Sequence, residues 1–291
     1  AAYPQLTSAG MEELTGWGAI SGMVAGDDGM LYAINDSAYG AQPTIFVIDL
    51  SSQPARIIRA IRITRDGAPA QNMDMEGITL DGEGGFWVVN EGRTDRDIPH
   101  ALYHVDAEGA ITEEVLLPEA LLSQETRFGF EGVTLVDGTL WMAVQREWQD
   151  DAEGMVKLVA YTPASGEWGA VHYPLAAHER GWVGLSEIVA HDGHLYLVER
   201  DNQLGDLAAV KQITRIALEG LEPAPLGAEL PVVTPEVVVD LLPYLTATGG
   251  YVLDKVESLA ITADGTMWIA TDNDGVDDHS GETMFFALPP M

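Results

Sequence analysis

Five stretches of this chain share one pattern, and most of them recur at a fixed interval. They are "ISGMVAGDDGMLYAINDS" (20–37), "MEGITLDGEGGFWVVNEG" (75–92), "FEGVTLVDGTLWMAVQRE" (130–147), "LSEIVAHDGHLYLVERDN" (185–202) and "VESLAITADGTMWIATDND" (256–274). Anchored on Ser21, Glu76, Glu131, Ser186 and Glu257, the intervals are 55, 55, 55 and 71 residues. A repeat of this length marks an array of supersecondary units, each unable to bury its apolar face alone.

Each stretch reads as a short apolar strand, a Gly-containing turn, a second strand that starts Leu-Tyr or Phe-, Leu- or Met-Trp, and an acidic exit. Two further strand candidates follow in most units, for example "TIFVIDL" and "ARIIRAI", or "KLVAYT" and "GAVHYPL". Four antiparallel strands per unit make a blade, so the pattern predicts an all-β fold, a single β-propeller over 1–291. A sandwich would show short strands without a repeated 55-residue pattern. Five four-stranded blades are expected, with a sixth possible in the longer interval, where "LEPAPLGAELPVVTPE" (221–236) reads better as a proline-rich loop. The fifth unit has only "MFFALPP" after its second strand. "YPQLTS" near the start is therefore expected to supply the missing strand and close the ring.

In a blade the first strand lines the channel and the second runs back beside it, so the start of one and the end of the other share a face. Applied to every unit, this gathers Glu76, Glu131, Glu187 and Glu257 with Asn35-Asp36, Asn90-Glu91, Arg146-Glu147, Arg200-Asp201-Asn202 and Asp272-Asn273-Asp274 around one mouth of the channel. Crowded carboxylates in a low dielectric repel one another and raise their own pKa values unless a cation neutralises them. Calcium accepts roughly six to eight oxygen donors of mixed type, which suits this inventory, whereas zinc would call for histidine. The candidate metal ligands are Glu76, Glu131, Glu187, Glu257, Asn90, Glu91, Asp201, Asp272 and Asp274. The alternative is architectural, with acids that cap strands and bond backbone amides. The densest cluster, "TDNDGVDDHSGE" (271–282), does not fit the EF-hand frame and reads equally as a calcium loop or a polar turn.

Composition excludes whole classes of function. Lys+Arg is 14 against Asp+Glu 46, a formal charge of -32 spread along the chain. Such a field repels nucleic acid and anionic membranes and attracts cations. Much of it reads as a solvated, salt-tolerant surface. No apolar run reaches the ~18 residues of a membrane span, so no membrane insertion is expected. With no cysteine, disulfides and thiolate chemistry are excluded. The opening "AAYPQ" is what a processed exported protein would carry, so a periplasmic or secreted monomer acting on a small molecule is the expectation.

Few other residues carry a chemical signal. Arg146 and Arg200, in so acidic a chain, would hold an anionic substrate bidentately or tie the acid ring by salt bridges; with Glu147 they form the candidate catalytic set. Arg93, Arg96 and Lys211 are outer candidates. Ser186 in "GLSEI" lies in the repeat register and reads as a channel-lining residue. His191 and His194 belong to a turn on the far face, while His178 and His279 lie on the acidic side, where either could serve as a base or have no duty. Trp87, Trp141 and Trp268 recur in phase, as packing residues do.

The ordered set "MEGITL", "FEGVTL", "LSEIVA" and "KVESLAI", with exits "NEG", "QRE", "ERDN" and "DND", resembles the phytase-like family described by its esterase-like activity, which is predominantly bacterial and often exported. The likeness runs from about Leu14 to Leu288. It implies a propeller and a calcium-assisted phosphoester or ester hydrolase, in which the four glutamates hold metal while Arg146 and Arg200 hold the anion. Better-known β-propeller phytases surround phosphate with several lysines and arginines. This chain has only Lys157, Lys211 and Lys255, a poor match to phytate itself. A calcium-dependent lactonase or aryl-esterase, using Asn35, Asn90, Asn202 and Asn273, and a non-catalytic binding propeller with a structural metal are the other readings.

Overall fold

The computed structural model describes residues 6–11, 16–36, 42–93, 97–246, 251–252, 255–272 and 283–289. Each repeated stretch forms the two inner strands of one antiparallel sheet, and five such sheets stand in a ring. The inner strands are Ile20–Ala25, Met75–Leu80, Phe130–Val136, Val183–His191 and Val256–Ile261. Each packs against the inner strands of both neighbouring blades, the fifth against the first. The Asp137-Gly138 and Asp192-Gly193 turns both have positive φ at each residue, and they join strands paired at Val136 with Thr139 and His191 with His194. That is the two-residue turn whose twist suits a hairpin.

The core is divided among the gaps between blades. Ile34, Ile45, Ile78, Phe86 and Val88 bury between blades one and two. Trp87 joins Phe130 and Leu140 between two and three, and Trp141 joins Leu185 and Ile188 between three and four. Trp268 packs in the same register against the cluster between five and one. In-phase tryptophans are therefore packing residues.

Two connections differ in detail from expectation. Leu6–Thr7 lies parallel to Ala55 and Arg56 at the outer edge of blade one, and the fifth sheet has three strands among the described residues. Leu6 nevertheless buries in the cluster shared by blades five and one, with Ile20, Ala260 and Phe285. Among the described residues the ring thus closes by side-chain packing, with no strand added to blade five. The 221–236 segment forms no sixth blade: Ala224–Pro225 joins the outer edge of blade three and Val232 bridges His172.

At one position every inner strand carries an extra residue. Pairing with the second strand skips Ser21, Glu76, Glu131, Ser186 and Glu257, the five anchors of the repeat. A bulge of this kind lets two residues oppose one and re-aims a side chain. The following position is Gly22, Gly77, Gly132, Glu187 or Ser258. A Cβ on Gly77 would lie 2.6 Å from Gly132 Cα, and one on Gly22 would lie 3.1 Å from Gly77 Cα. The strands meet backbone to backbone. Gly77→Ala should therefore destabilise the protein by about 1–3 kcal/mol through overpacking, read as a lower urea midpoint; an unchanged midpoint would show that the ring does not depend on this contact.

Candidate functional site: an acidic channel mouth

The bulges set the acids of the mouth. Glu76, Glu131 and Glu257 are bulged residues with 8%, 2% and 3% of their surface exposed, so carboxylates sit at strand starts inside the protein. Asp36 and Glu91, from the exits of blades one and two, join them, as does Asp74, two residues ahead of Glu76. Carboxylate oxygens of Asp36, Asp74 and Glu76 all lie within 4.8 Å of one another. Asp74 is buried, and its Oδ1 has no hydrogen-bond partner among the described residues; Glu257 Oε2 is in the same position.

Burial, with this crowding added to it, sets the electrostatics of the mouth. Burial pushes Glu76 well above the usual carboxylate range, and Glu131, Asp36, Asp74 and Glu257 add to the effect. Glu131 is raised by burial and by Glu91 and Glu257, against the pull of Arg200 and Lys255. Glu91 is pushed up to about 7, chiefly by burial, although the Gly129 amide donates to its Oε1 at 3.1 Å and favours the charged form. The donors of this cluster are all oxygens. A hard cation such as calcium fits them; zinc, which prefers nitrogen and sulfur, does not.

The other predicted residues have different surroundings. Glu187 follows the bulge of blade four and occupies the column that is glycine in blades one to three. Its Oε2 accepts from the Met23 amide at 3.2 Å and its Oε1 from Ile188 at 3.1 Å, so it ties blade four to blade one inside the ring. Burial raises its pKa while these amides oppose the shift. Asn90 is fully buried and positions the site from behind: its Oδ1 accepts from the Asp74 amide at 2.6 Å and its Nδ2 donates to Pro99. Asn35 and Asn202 likewise accept from the Thr44 and Trp182 amides.

Asp201 fastens the loop that follows it. It accepts from the amides of Gln203, Ala209 and Val210 and pairs with Lys211 Nζ at 3.0 Å. Burial works to raise its pKa, but these bonds outweigh it and hold the carboxyl below the usual range. Glu147 does similar work, accepting from the Gly154 amide at 2.9 Å and from Arg146 Nε at 3.3 Å. Asp272 faces Lys255 at 3.3 Å. Asp274, Asn273, Arg96 and His279 lie outside the described residues.

The two arginines do not share a register. Counting by 55, Arg200 corresponds to Gln145 and Arg146 to Asp201, one residue apart; Arg200 lies within the strand His194–Asp201, whereas Arg146 follows the end of the strand Thr139–Val144. Arg200 is 2% exposed; its Nε donates to Ser186 Oγ at 2.9 Å and its Nη2 to Glu257 Oε1 at 2.7 Å. Arg146 is half-buried over the rings of Phe128 and Trp182. Asp74 went unmarked in the sequence because it precedes the repeat, where other units have Ala19, Gly129, Gly184 or Lys255. The acid in "NMDMEG", at a position apolar or basic elsewhere, was the available signal.

A family model described as "Phytase-like: Esterase-like activity of phytase" matches residues 15–275. The chain belongs to this family. No curated protein matches it. Among solved structures, the Malassezia sympodialis allergen Mala s 1 aligns with the phytase-like chain at TM-score 0.50 and 11% identity, over 93% of this chain and 92% of that one. A Thermus thermophilus oxidoreductase described as a glucose dehydrogenase aligns at 0.48 and 11%, over 95% and 98%. A Xanthomonas campestris gluconolactonase aligns at 0.46 and 11%, over 94% and 76%. At this identity the likeness is one of fold.

A raised carboxyl pKa means that the folded state keeps a proton the unfolded chain has released, so stability rises as pH falls through the interval between the two values. For Glu91 that window runs from about 7 down to its ordinary 4.5. Glu76, Glu131, Glu187 and Glu199 act in the same direction. His100, lowered from 6.5 by burial, acts the other way. Chelator-treated protein should therefore melt higher at about pH 5.5 than at about pH 8. A steady fall in melting temperature as pH is lowered over that range would contradict a strained acid mouth.

Proposed function

We propose that this phytase-like propeller is a calcium-assisted hydrolase of phosphoesters or related esters, acting on a small anionic substrate at the acidic mouth. The observation that supports it best is the convergence of Asp36, Asp74 and Glu76, with Asp74 Oδ1 buried and without a partner among the described residues. An orphaned buried carboxylate oxygen is costly, and a bound cation removes the cost. Those three residues would hold the ion, with Glu76 shared toward Glu131.

When bound, calcium would act as a Lewis acid and template for the ester oxygen. The chain's own groups do the rest. Glu91, Glu131 and Glu257 lie outside the carboxylate trio and are the acceptors available to orient a water beside it. Arg200 holds Glu257 in place through one bond and Ser186 through another. Asn90 anchors the Asp74 backbone. A lactonase-type centre built on asparagine carbonyls is less well supported, because Asn35, Asn90 and Asn202 already accept from backbone amides. No helix among the described residues is long and apolar enough to cross a membrane; export, implied by the family resemblance, belongs to the same proposal.

Calorimetric titration of chelator-treated protein with calcium should reveal a saturable, salt-resistant site. Asp74→Asn and Glu76→Gln should each weaken it by about tenfold or more, roughly 1.4 kcal/mol. Without metal, Glu76→Gln should also melt higher than wild type at alkaline pH, because it removes a carboxyl whose charged form is disfavoured by burial and by its acidic neighbours. Turnover of 4-nitrophenyl phosphate should require calcium. Salt-sensitive heat alone would sink the metal site. A genuine site without turnover of phosphate esters or lactones would sink the hydrolase and leave a structural ion.

A further inference from the structure

We propose that Arg146 is the residue that recognises the substrate's oxyanion, and that Arg200 is a positioning residue which does not contact it. This rests on the hydrolase reading of the mouth and narrows it to esters that carry a phosphate or comparable oxyanion.

The two guanidinium groups differ in what they have left to offer. Arg200 is buried, with Nε on Ser186 and Nη2 on Glu257, and serves the acid ring. Arg146 is 23% exposed in its side chain and uses only Nε, on Glu147 Oε2 at 3.3 Å. Its two Nη groups make no hydrogen bond among the described residues. They form the end of the planar fork that matches phosphate or carboxylate bidentately.

The fork is held in advance. Its Cζ lies 4.8 Å from the Trp182 ring centroid and 5.2 Å from that of Phe128, and the two rings are 6.1 Å apart. A guanidinium stacked on aromatic faces keeps its N–H edges free while losing much of its rotational freedom, which lowers the cost of binding an anion. Glu147 is itself fixed by the Gly154 amide, so the Nε contact orients the fork.

The location is also suitable. Phe128 precedes Gly129, whose amide donates to Glu91 of the acid cluster. Trp182, the ring under Arg146, also lies 5.2 Å from Arg200 Cζ. The mouth thus draws its carboxylate trio from blades one and two and an arginine–aromatic wall from blades three and four, with Glu131 of blade three and Glu257 of blade five among its other acids. An anionic ester lying across it would meet cation-binding oxygens at one end and the Arg146 fork at the other.

The test uses phenyl phosphate and phenyl acetate with the full chain. Binding of phenyl phosphate, followed by calorimetry and by the change in tryptophan fluorescence, should weaken about tenfold or more in Arg146→Gln and less in Arg146→Lys, which keeps the charge but loses the fork. Where turnover is measurable, the ratio of kcat/KM for phenyl phosphate over phenyl acetate should fall by a similar factor. Melting curves establish that the variants fold. Loss of phenyl phosphate binding supports the anion site even if calcium gives no heat and the hydrolase reading fails. Wild-type affinity in Arg146→Gln, or no binding by folded wild type, overturns it.

Discussion

One extra residue in each inner strand governs the chemistry of this mouth. Without the bulge, a strand start packed between two blades would present its side chains in simple alternation, and a glutamate there would be confined to an apolar gap. The bulge breaks the alternation once per blade at the same level. It turns Glu76, Glu131 and Glu257 into the mouth while the next residue, glycine in three blades, lets the backbones touch. Serine fills the same position in blades one and four, where Ser21 Oγ bonds Met75 and Ser186 receives Arg200. Small polar residues hold the frame in two blades, and acids occupy the site in three.

The acids of this chain do two opposite jobs, and their pKa shifts separate them. Asp201 and Glu147 accept several backbone amides or a cation, and their carboxyls are held down. They fasten the long connections after the second strands. Glu76, Glu91 and Glu131 face other carboxylates in a buried setting and are pushed up. Folding alone gains little from such an arrangement. Carboxylates with raised pKa values gathered at one mouth support the proposal of a cation-binding centre there.

Much of this was legible in the sequence because repetition multiplies weak signals. A single E-G ahead of an apolar run says little, but five related stretches gave the propeller, the blade boundaries and the face on which the acids meet. What stayed hidden was anything decided by a one-residue offset. Arg146 and Arg200 look equivalent beside an acid, yet they differ by one register: both lie over Trp182, but Arg200 gives its donors to Ser186 and Glu257 while Arg146 gives its Nε to Glu147. Glu187 looks like the fourth member of the glutamate set but stands in the glycine column, one residue past the bulge. Asp74 lies outside the repeat altogether. The N-terminal strand found the edge of blade one because its apolar Leu6 fits the gap between blades five and one, a packing preference that a count of missing strands does not express.

The glycine column has a further consequence. Gly22, Gly77 and Gly132 bring neighbouring backbones together, and Glu187 reaches across them to blade one with no exposed surface. Ser258 adds a bond to Ile20 at the same level. At this level the axis of the ring is filled by backbone and by the Glu187 carboxylate, so the acidic rim and the hairpin ends of the inner strands are separate surfaces, and a side chain changed on one has no direct contact with the other.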